Sequence, residues 1–231
     1  MFRAVCFDYF NTCTAAVRRG EDHRRTAEVL GVDPDEWIAL LDRTFEERAA
    51  GGYGSDSMTG LWQLCNELGV EPTETQLCHA VDLRLAALQA DAPLRPATIP
   101  VLRALRSAGL GIAIVSDCWF ELPHFLPRSP LAGLFDAAVY SSEIGHTKPH
   151  PAMYRTACAL LGVEPADCLY VGDGGSLELT GAGACGLTAV RLAAGDLGDH
   201  LTYNDEPGWS GPCIENLNEV LELVGAPMLV A

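Results

Sequence analysis

The sequence lacks any run approaching the roughly 18 to 20 continuous apolar residues that a bilayer crossing requires. Its first residues lack the basic, apolar and small-residue order of a signal peptide, because the run 2–7 is short and leads straight into Asp8. A globular, cytoplasmic protein is expected. Basic residues are also scarce, with 15 Lys and Arg against 31 Asp and Glu and a formal net charge of −16. That balance argues against a nucleic acid or an anionic membrane as partner, since both need clustered cations. It leaves open an anionic small molecule, which needs only a few local cations or one metal ion. Finally, there is no Cys-x-x-Cys pair. The nine scattered cysteines therefore offer neither a zinc site nor a thiol-exchange site, and read as small, mostly buried thiols.

What is present is a chain of 231 residues, enough for a core domain with a smaller insert. The apolar run 2–7 reads as a strand that ends on Asp8 and tips into a turn. From there the pattern is helical for about eighty residues. One helix spans 20–30, with Gly31 as its C-terminal cap. Asp33-Pro34 opens a second, carrying Trp37, Leu40, Leu41, Thr44 and Phe45 at helical spacing. Ser55 or Ser57 caps a third that closes at Gly69. A fourth begins at 71–74 and carries Leu77, Ala80, Val81, Leu83, Leu85 and Leu88. Strand and helix then alternate: strands at 110–115, 137–140, 168–171 and 188–191, helices at 98–108, 151–161, 177–184 and 215–224, and a loop over 193–212. The fold expected is α/β, a Rossmann-like doubly wound parallel sheet built from 1–14 and 94–231, with a four-helix cap of 15–93 inserted after the first strand.

In such a sheet the carboxyl ends of the strands meet in one crevice, however far apart they lie in sequence. Asp8, Ser116, the loop holding Lys148, and Asp173 all fall there. Each has a plainer reading alone: a turn residue, a helix cap, a solvated lysine. Together they suit phosphoryl transfer. A carboxylate can attack phosphorus and split one hard step into two. A pair such as Asp8 and Asp173 invites Mg²⁺, which prefers oxygen ligands. Lys148 neutralises charge, and the hydroxyls of Thr12 and Ser116 donate to phosphoryl oxygens. Asp117, directly after Ser116, is either a crevice carboxylate or a turn residue. Glu178 is either a helix-terminus acid or a metal-site residue. His146, three residues from Glu143, reads as loop, and Trp119 belongs at a junction where it stacks on core or on substrate.

These residues resemble the haloacid dehalogenase-like hydrolases. The first motif of that family, Asp-x-Asp-Gly-Thr after a strand, reads Asp8-Tyr9-Phe10-Asn11-Thr12. The second is Val115-Ser116 and the third Lys148-Pro149-His150-Pro151. The fourth runs from Gly172-Asp173 to Glu178 and Gly181-Ala182. The resemblance covers nearly the whole chain. It implies a Mg²⁺-dependent phosphatase of a small phosphorylated substrate that works through an aspartyl phosphate on Asp8. Asp8, the Phe10 backbone carbonyl, Asp173 and Glu178 are the implied metal group, and the helical insert is the implied cap. The chain is expected to be a monomer or a homodimer.

One position departs from the pattern. Family phosphatases use the second aspartate of the first motif to protonate the leaving group and to activate water, and here it is Phe10. General acid/base assistance is worth roughly 10²- to 10⁴-fold, so a replacement matters. Asp22, His23, Glu46 and Tyr53 in the insert are candidate donors. An aromatic residue at this place also resembles the 2-haloacid dehalogenases, which need no metal and bind halide with a cap arginine, for which Arg43 and Arg48 are candidates. That branch, however, has a small hydroxyl residue where this chain has Asp173, and asparagine in place of Gly175. A third reading is a weakly active or non-catalytic binding protein.

Overall fold

The computed structural model describes residues 1–54 and 56–227. Among these, the strands are β1 (Ala4–Phe7), β2 (Gly111–Ser116), β3 (Ala137–Tyr140), β4 (Cys168–Gly172), β5 (Thr188–Leu192) and β6 (Cys213–Ile214). They form one six-stranded sheet in the order β3-β2-β1-β4-β5-β6, and every pairing is parallel. This order places the reversal of winding between β1 and β4, the position where doubly wound sheets bind ligands. Asp8 and Asp173 follow those two strands.

Both faces of the sheet are covered, which is why its strands read as nearly continuous apolar runs. With a period of two, Val5 and Phe7, Ile112 and Ile114, and Leu169 and Val171 face one side. There they meet Val101, Leu102 and Leu105 of α6 (Thr98–Ser107) and Val220 and Leu221 of α11 (Glu219–Val224). Ala4 and Cys6, Ala113 and Val115, and Cys168 and Tyr170 face the other side. These pack on Met153, Tyr154 and Ala157 of α9 (Pro151–Leu161) and on Leu179 and Ala182 of α10 (Glu178–Ala184).

Between β1 and α6 the chain forms a helical layer: α1 (Asp22–Leu30), α2 (Pro34–Arg43), α3 (Phe45–Ala49), α4 (Ser57–Glu67) and α5 (Glu74–Asp91). The layer has a core of its own, with Trp37, Leu40, Leu61, Leu64, Leu77 and Ala80 buried together and Trp119 entering from the β2 side. A Cβ on Gly60 of α4 would run into the Trp119 ring, so the glycine permits that junction. The segments entering and leaving the layer meet in an antiparallel bridge between Thr14 and Leu94.

Several expectations need correcting. Five helices stand where four were expected, because the Thr44 hydroxyl bonds back to the Leu40 carbonyl at 2.6 Å and ends α2, leaving Phe45 to start α3. Asp56, accepting from the N–H groups of Met58 and Thr59, caps α4, and Ser57 is already helical; Ser55 lies outside the described residues. The last helix begins at Glu219 instead of 215, since the Glu219 carboxylate accepts from the backbone N–H of Glu215 and Asn216, each at 2.9 Å, and holds them in a turn. Two short helices, α7 (Glu121–Phe125) and α8 (Ser141–Ile144), and the two-residue β6 had no sequence signal long enough to read.

Candidate active site

Lys148 stands at the centre of the strand ends. Its ammonium donates to Asp8 Oδ1 and to Glu178 Oε2, each at 2.6 Å, and its backbone N–H donates to Asp117 Oδ1 at 2.9 Å. All four residues are buried. Burial opposes the ammonium charge, but Asp8, Glu178 and Asp117 outweigh it and hold the Lys148 pKa well above the ordinary value. Lys148 is also the only lysine of the chain, in which the other fourteen basic residues are arginines. A compact ammonium can sit between two carboxylates at this spacing, whereas a planar guanidinium needs a wider fork. That lone lysine is a signal the motif reading passed over.

Asp8, Asp173 and Glu178 bring carboxylate oxygens within 4.8 Å of one another. Burial lifts the Asp8 carboxyl to about 6, Lys148 pulling it down and Asp173 pushing it up. Burial raises the Glu178 carboxyl well above its usual range too, so three crowded carboxyls share one ammonium, and with hard oxygen donors the group fits a divalent cation of the Mg²⁺ type. The three carboxylates are not equivalent. Asp8 and Asp173 line a cavity. Glu178 is fully buried, and its oxygens already accept from Lys148, from the Tyr170 hydroxyl at 2.7 Å and from the Gly174 N–H at 3.0 Å. A Cβ on Gly172 would overlap the Glu178 carboxylate, which accounts for the glycine before Asp173. Glu178 thus anchors Lys148 from behind the wall.

Phe10 also lines the cavity and packs edge-on against Tyr9, with ring centroids 5.0 Å apart. Thr12, after β1, and Ser116, at the end of β2, are fully buried. The Thr12 hydroxyl has no well-formed hydrogen bond, and the Ser116 hydroxyl reaches the Asp117 carbonyl only at 3.5 Å. Asn11 takes the place of the glycine in the first motif. Its φ of 63° is left-handed, a conformation that asparagine tolerates better than most residues. Its amide donates to Asp173 Oδ2 at 3.4 Å and to the Leu201 carbonyl at 3.1 Å.

The loop expected over 193–212 forms one side of the cavity through Leu201, Thr202 and Tyr203. His200 places Nε2 3.0 Å from Asp173 Oδ2 and Nδ1 3.1 Å from the Leu197 carbonyl. Tyr203 stacks on Phe45 of the helical layer at 3.9 Å. Sequence reading missed these contacts. The length of the segment was the available signal, since connections beyond about 15 residues without secondary structure are usually either functional loops or linkers.

Of the four candidate donors in the helical layer, only His23 lines the cavity. It bonds to Asp91 Oδ2 at 2.9 Å, and burial pushes its pKa down to about 3. Asp22 pairs with Arg25, Tyr53 donates to Glu67, and Glu46 is exposed. Arg43 is exposed beside Glu67, whereas Arg48 lines the cavity. Asp117 does face the cavity. Its Oδ2 is buried without a well-formed hydrogen bond, and burial lifts its carboxyl above the usual range although Lys148 pulls it down. Exposed His146 stacks on His150 at 3.7 Å.

The model of the haloacid dehalogenase-like hydrolases matches residues 2–186. The chain belongs to this family. Over 215 residues the hydrolase is 30% identical to the glyceraldehyde 3-phosphate phosphatase of Methanopyrus kandleri, covering 89% of this chain and 90% of that one. It is 32% identical over 201 residues to the (S)-2-haloacid dehalogenase 4A of Burkholderia cepacia, covering 82% of each. Among solved structures, a phosphatase of the family from Thermococcus onnurineus superposes with a TM-score of 0.65 at 23% identity, covering 99% of this chain and 100% of the other. A 2-haloacid dehalogenase from Pseudomonas syringae does so with a TM-score of 0.72 at 21% identity, covering 97% and 99%. At these identities the structures speak for the fold alone.

Proposed function

We propose that this hydrolase is a Mg²⁺-dependent phosphatase of small phosphorylated compounds, with Asp8 as nucleophile. The observation that carries the reading is the placing of Asp8 and Asp173 together on the cavity wall, with Lys148 bonded to Asp8 and three crowded carboxyls sharing its one ammonium. Asp8, Asp173 and the Phe10 backbone carbonyl would hold the metal ion, with Glu178 fixing Lys148. When bound, the ion supplies charge neutralisation that lets a carboxylate approach a phosphate. A cavity of about 140 Å³ suits a substrate of a few carbon atoms. The helical layer acts as the cap that closes over it.

In the first step an Asp8 oxygen bonds to phosphorus and the bond from phosphorus to the leaving oxygen breaks. Lys148 and the Thr12 and Ser116 hydroxyls stabilise the phosphoryl oxygens. The leaving oxygen needs a proton that Phe10 cannot give. His23, with its pKa near 3, is neutral at pH 7 and has no imidazolium proton to offer. Asp117 is shifted the opposite way, faces the same cavity and has an oxygen without a well-formed hydrogen bond, so it is the proton donor. Water then hydrolyses the aspartyl phosphate, with Asp117 taking the proton back.

The test is turnover of a panel of small phosphate esters and acyl phosphates with Mg²⁺ and with EDTA, alongside Asp8→Asn. Phosphate release should require both the metal and Asp8; release that survives the loss of either rejects the reading. The similarity to the Burkholderia dehalogenase and the aromatic Phe10 favour a second reading, dehalogenation. Halide release from 2-chloropropionate in EDTA is its test, and a carboxylate such as Asp173 facing a carboxylate substrate argues against it.

A further inference from the structure

The helical side of the cavity carries an arginine pair that the phosphatase chemistry leaves unused. Arg48 of α3 and Arg84 of α5 are each 5% exposed and both line the cavity. Their guanidinium carbons lie 5.0 and 5.6 Å from the centroid of the Trp119 ring. Arg84 has a carboxylate partner, with its Nε donating to Glu121 Oε1 at 2.6 Å. Its Nη1 is buried without a hydrogen bond. Among the described residues Arg48 bonds to neutral groups, through Nε to the Thr44 hydroxyl at 3.0 Å and through Nη2 to the Leu41 carbonyl at 2.6 Å. Burial, followed by repulsion from Arg84, lowers the Arg48 pKa to about 10, and the attraction of Glu121 does not offset this. The other acids of this wall bond elsewhere: Asp42 to Arg19, and Asp91 to the neutral His23 and the Gly20 N–H.

Two buried guanidinium groups beside a single carboxylate are electrostatically incomplete, because an unpaired buried cation is costly unless a counter-ion arrives. The counter-ion must come through the cavity, and a planar guanidinium matches a carboxylate in two parallel hydrogen bonds. We infer that Arg48 and Arg84 form a carboxylate subsite opposite Asp8, so that the preferred substrates are short phosphorylated hydroxy acids, phosphate at the strand ends and carboxylate at the helical layer. The inference rests on the phosphatase reading for its substrate class and on the arginine pair for the subsite. The cavity, of about 140 Å³, has room for a two- to four-carbon phosphorylated acid.

The test compares esters of equal length with Mg²⁺, 3-phosphoglycerate against glycerol 3-phosphate, in the wild-type protein, Arg48→Gln and Arg84→Lys. Charge-assisted hydrogen bonds of this kind predict a wild-type preference in kcat/KM of about ten- to a hundredfold for the acid. Both variants should shrink that ratio. A wild-type protein that turns over glycerol 3-phosphate, with Asp8 required, as well as it turns over the acid overturns the subsite and leaves the phosphatase reading standing. That arm needs no variant to fold. If neither ester is hydrolysed, titration calorimetry with the wild-type protein decides: tighter binding of 3-phosphoglycerate than of glycerol 3-phosphate supports the subsite, and equal binding rejects it.

Discussion

The two sides of the cavity are built on opposite principles. The side at the strand ends is an acid surplus around one lysine, held by short hydrogen bonds from backbone and core hydroxyls. The helical side sets Arg48 and Arg84 around one tryptophan with Glu121 as the carboxylate bonded to them, while its third arginine, Arg19, pairs with Asp42. Burial opposes the charges on each side, and in the proposed function each side meets one anionic end of a small substrate, the strand-end side with a metal ion. Sites that spend stability in this way are arranged for a ligand, because a protein selected for stability alone would pair these charges or replace them.

The strongest way to break the comparison is at its acidic end. Asp8→Asn removes the proposed nucleophile and should lower phosphate release by about 10⁴-fold or more, as losses of covalent catalysts do. Lys148→Arg keeps the charge and changes its shape. The guanidinium cannot take the place of an ammonium 2.6 Å from both Asp8 and Glu178. A loss of roughly 10²- to 10³-fold in kcat is expected, the scale of a lost charge-stabilising donor. Activity within a few-fold of the wild type would mean that Lys148 serves only as a counter-charge. The smallest effect concerns the turn that joins the acidic wall to the 193–212 loop. Asn11→Ala should destabilise the protein by about 1–2 kcal/mol in urea unfolding, and Asn11→Gly by less, because the φ of 63° costs alanine and not glycine. Equal losses for the two would assign the effect to the amide contacts with Asp173 and Leu201 instead.

The same contrast explains what the sequence made legible. Asp8, Ser116, Lys148 and Asp173 were readable because strand ends in a parallel sheet converge by topology, and the order of winding does not depend on details of packing. The helical side offers no such rule. Arg48 and Arg84 lie on helices whose apolar spacing predicts a face, and arginines are seldom fully buried, so nothing in the periodicity places them inside. Asp117 had two readings that only its surroundings could separate. His200 and Tyr203 came from a segment with no periodicity at all. Element boundaries failed for local reasons, such as the back-bonding of Thr44 and the Glu219 carboxylate reaching the turn before its helix.

Phe10 remains the residue on which the account turns, and Asp117 is the answer offered for it. The direct measurement is kcat/KM, which is set by the steps up to loss of the leaving group and not by the later hydrolysis of the aspartyl phosphate. It compares the wild-type protein and Asp117→Asn, with Mg²⁺, on glycerol 3-phosphate, whose leaving oxygen needs a proton, and on acetyl phosphate, whose leaving group does not. The donor must be protonated and its pKa is raised, so wild-type kcat/KM on the ester should fall as pH rises through that pKa. The variant should lose about 10²- to 10⁴-fold on glycerol 3-phosphate, far less on acetyl phosphate, and the alkaline fall with it. Equal losses on the two substrates, or no loss on either, would contradict the assignment of the proton to Asp117.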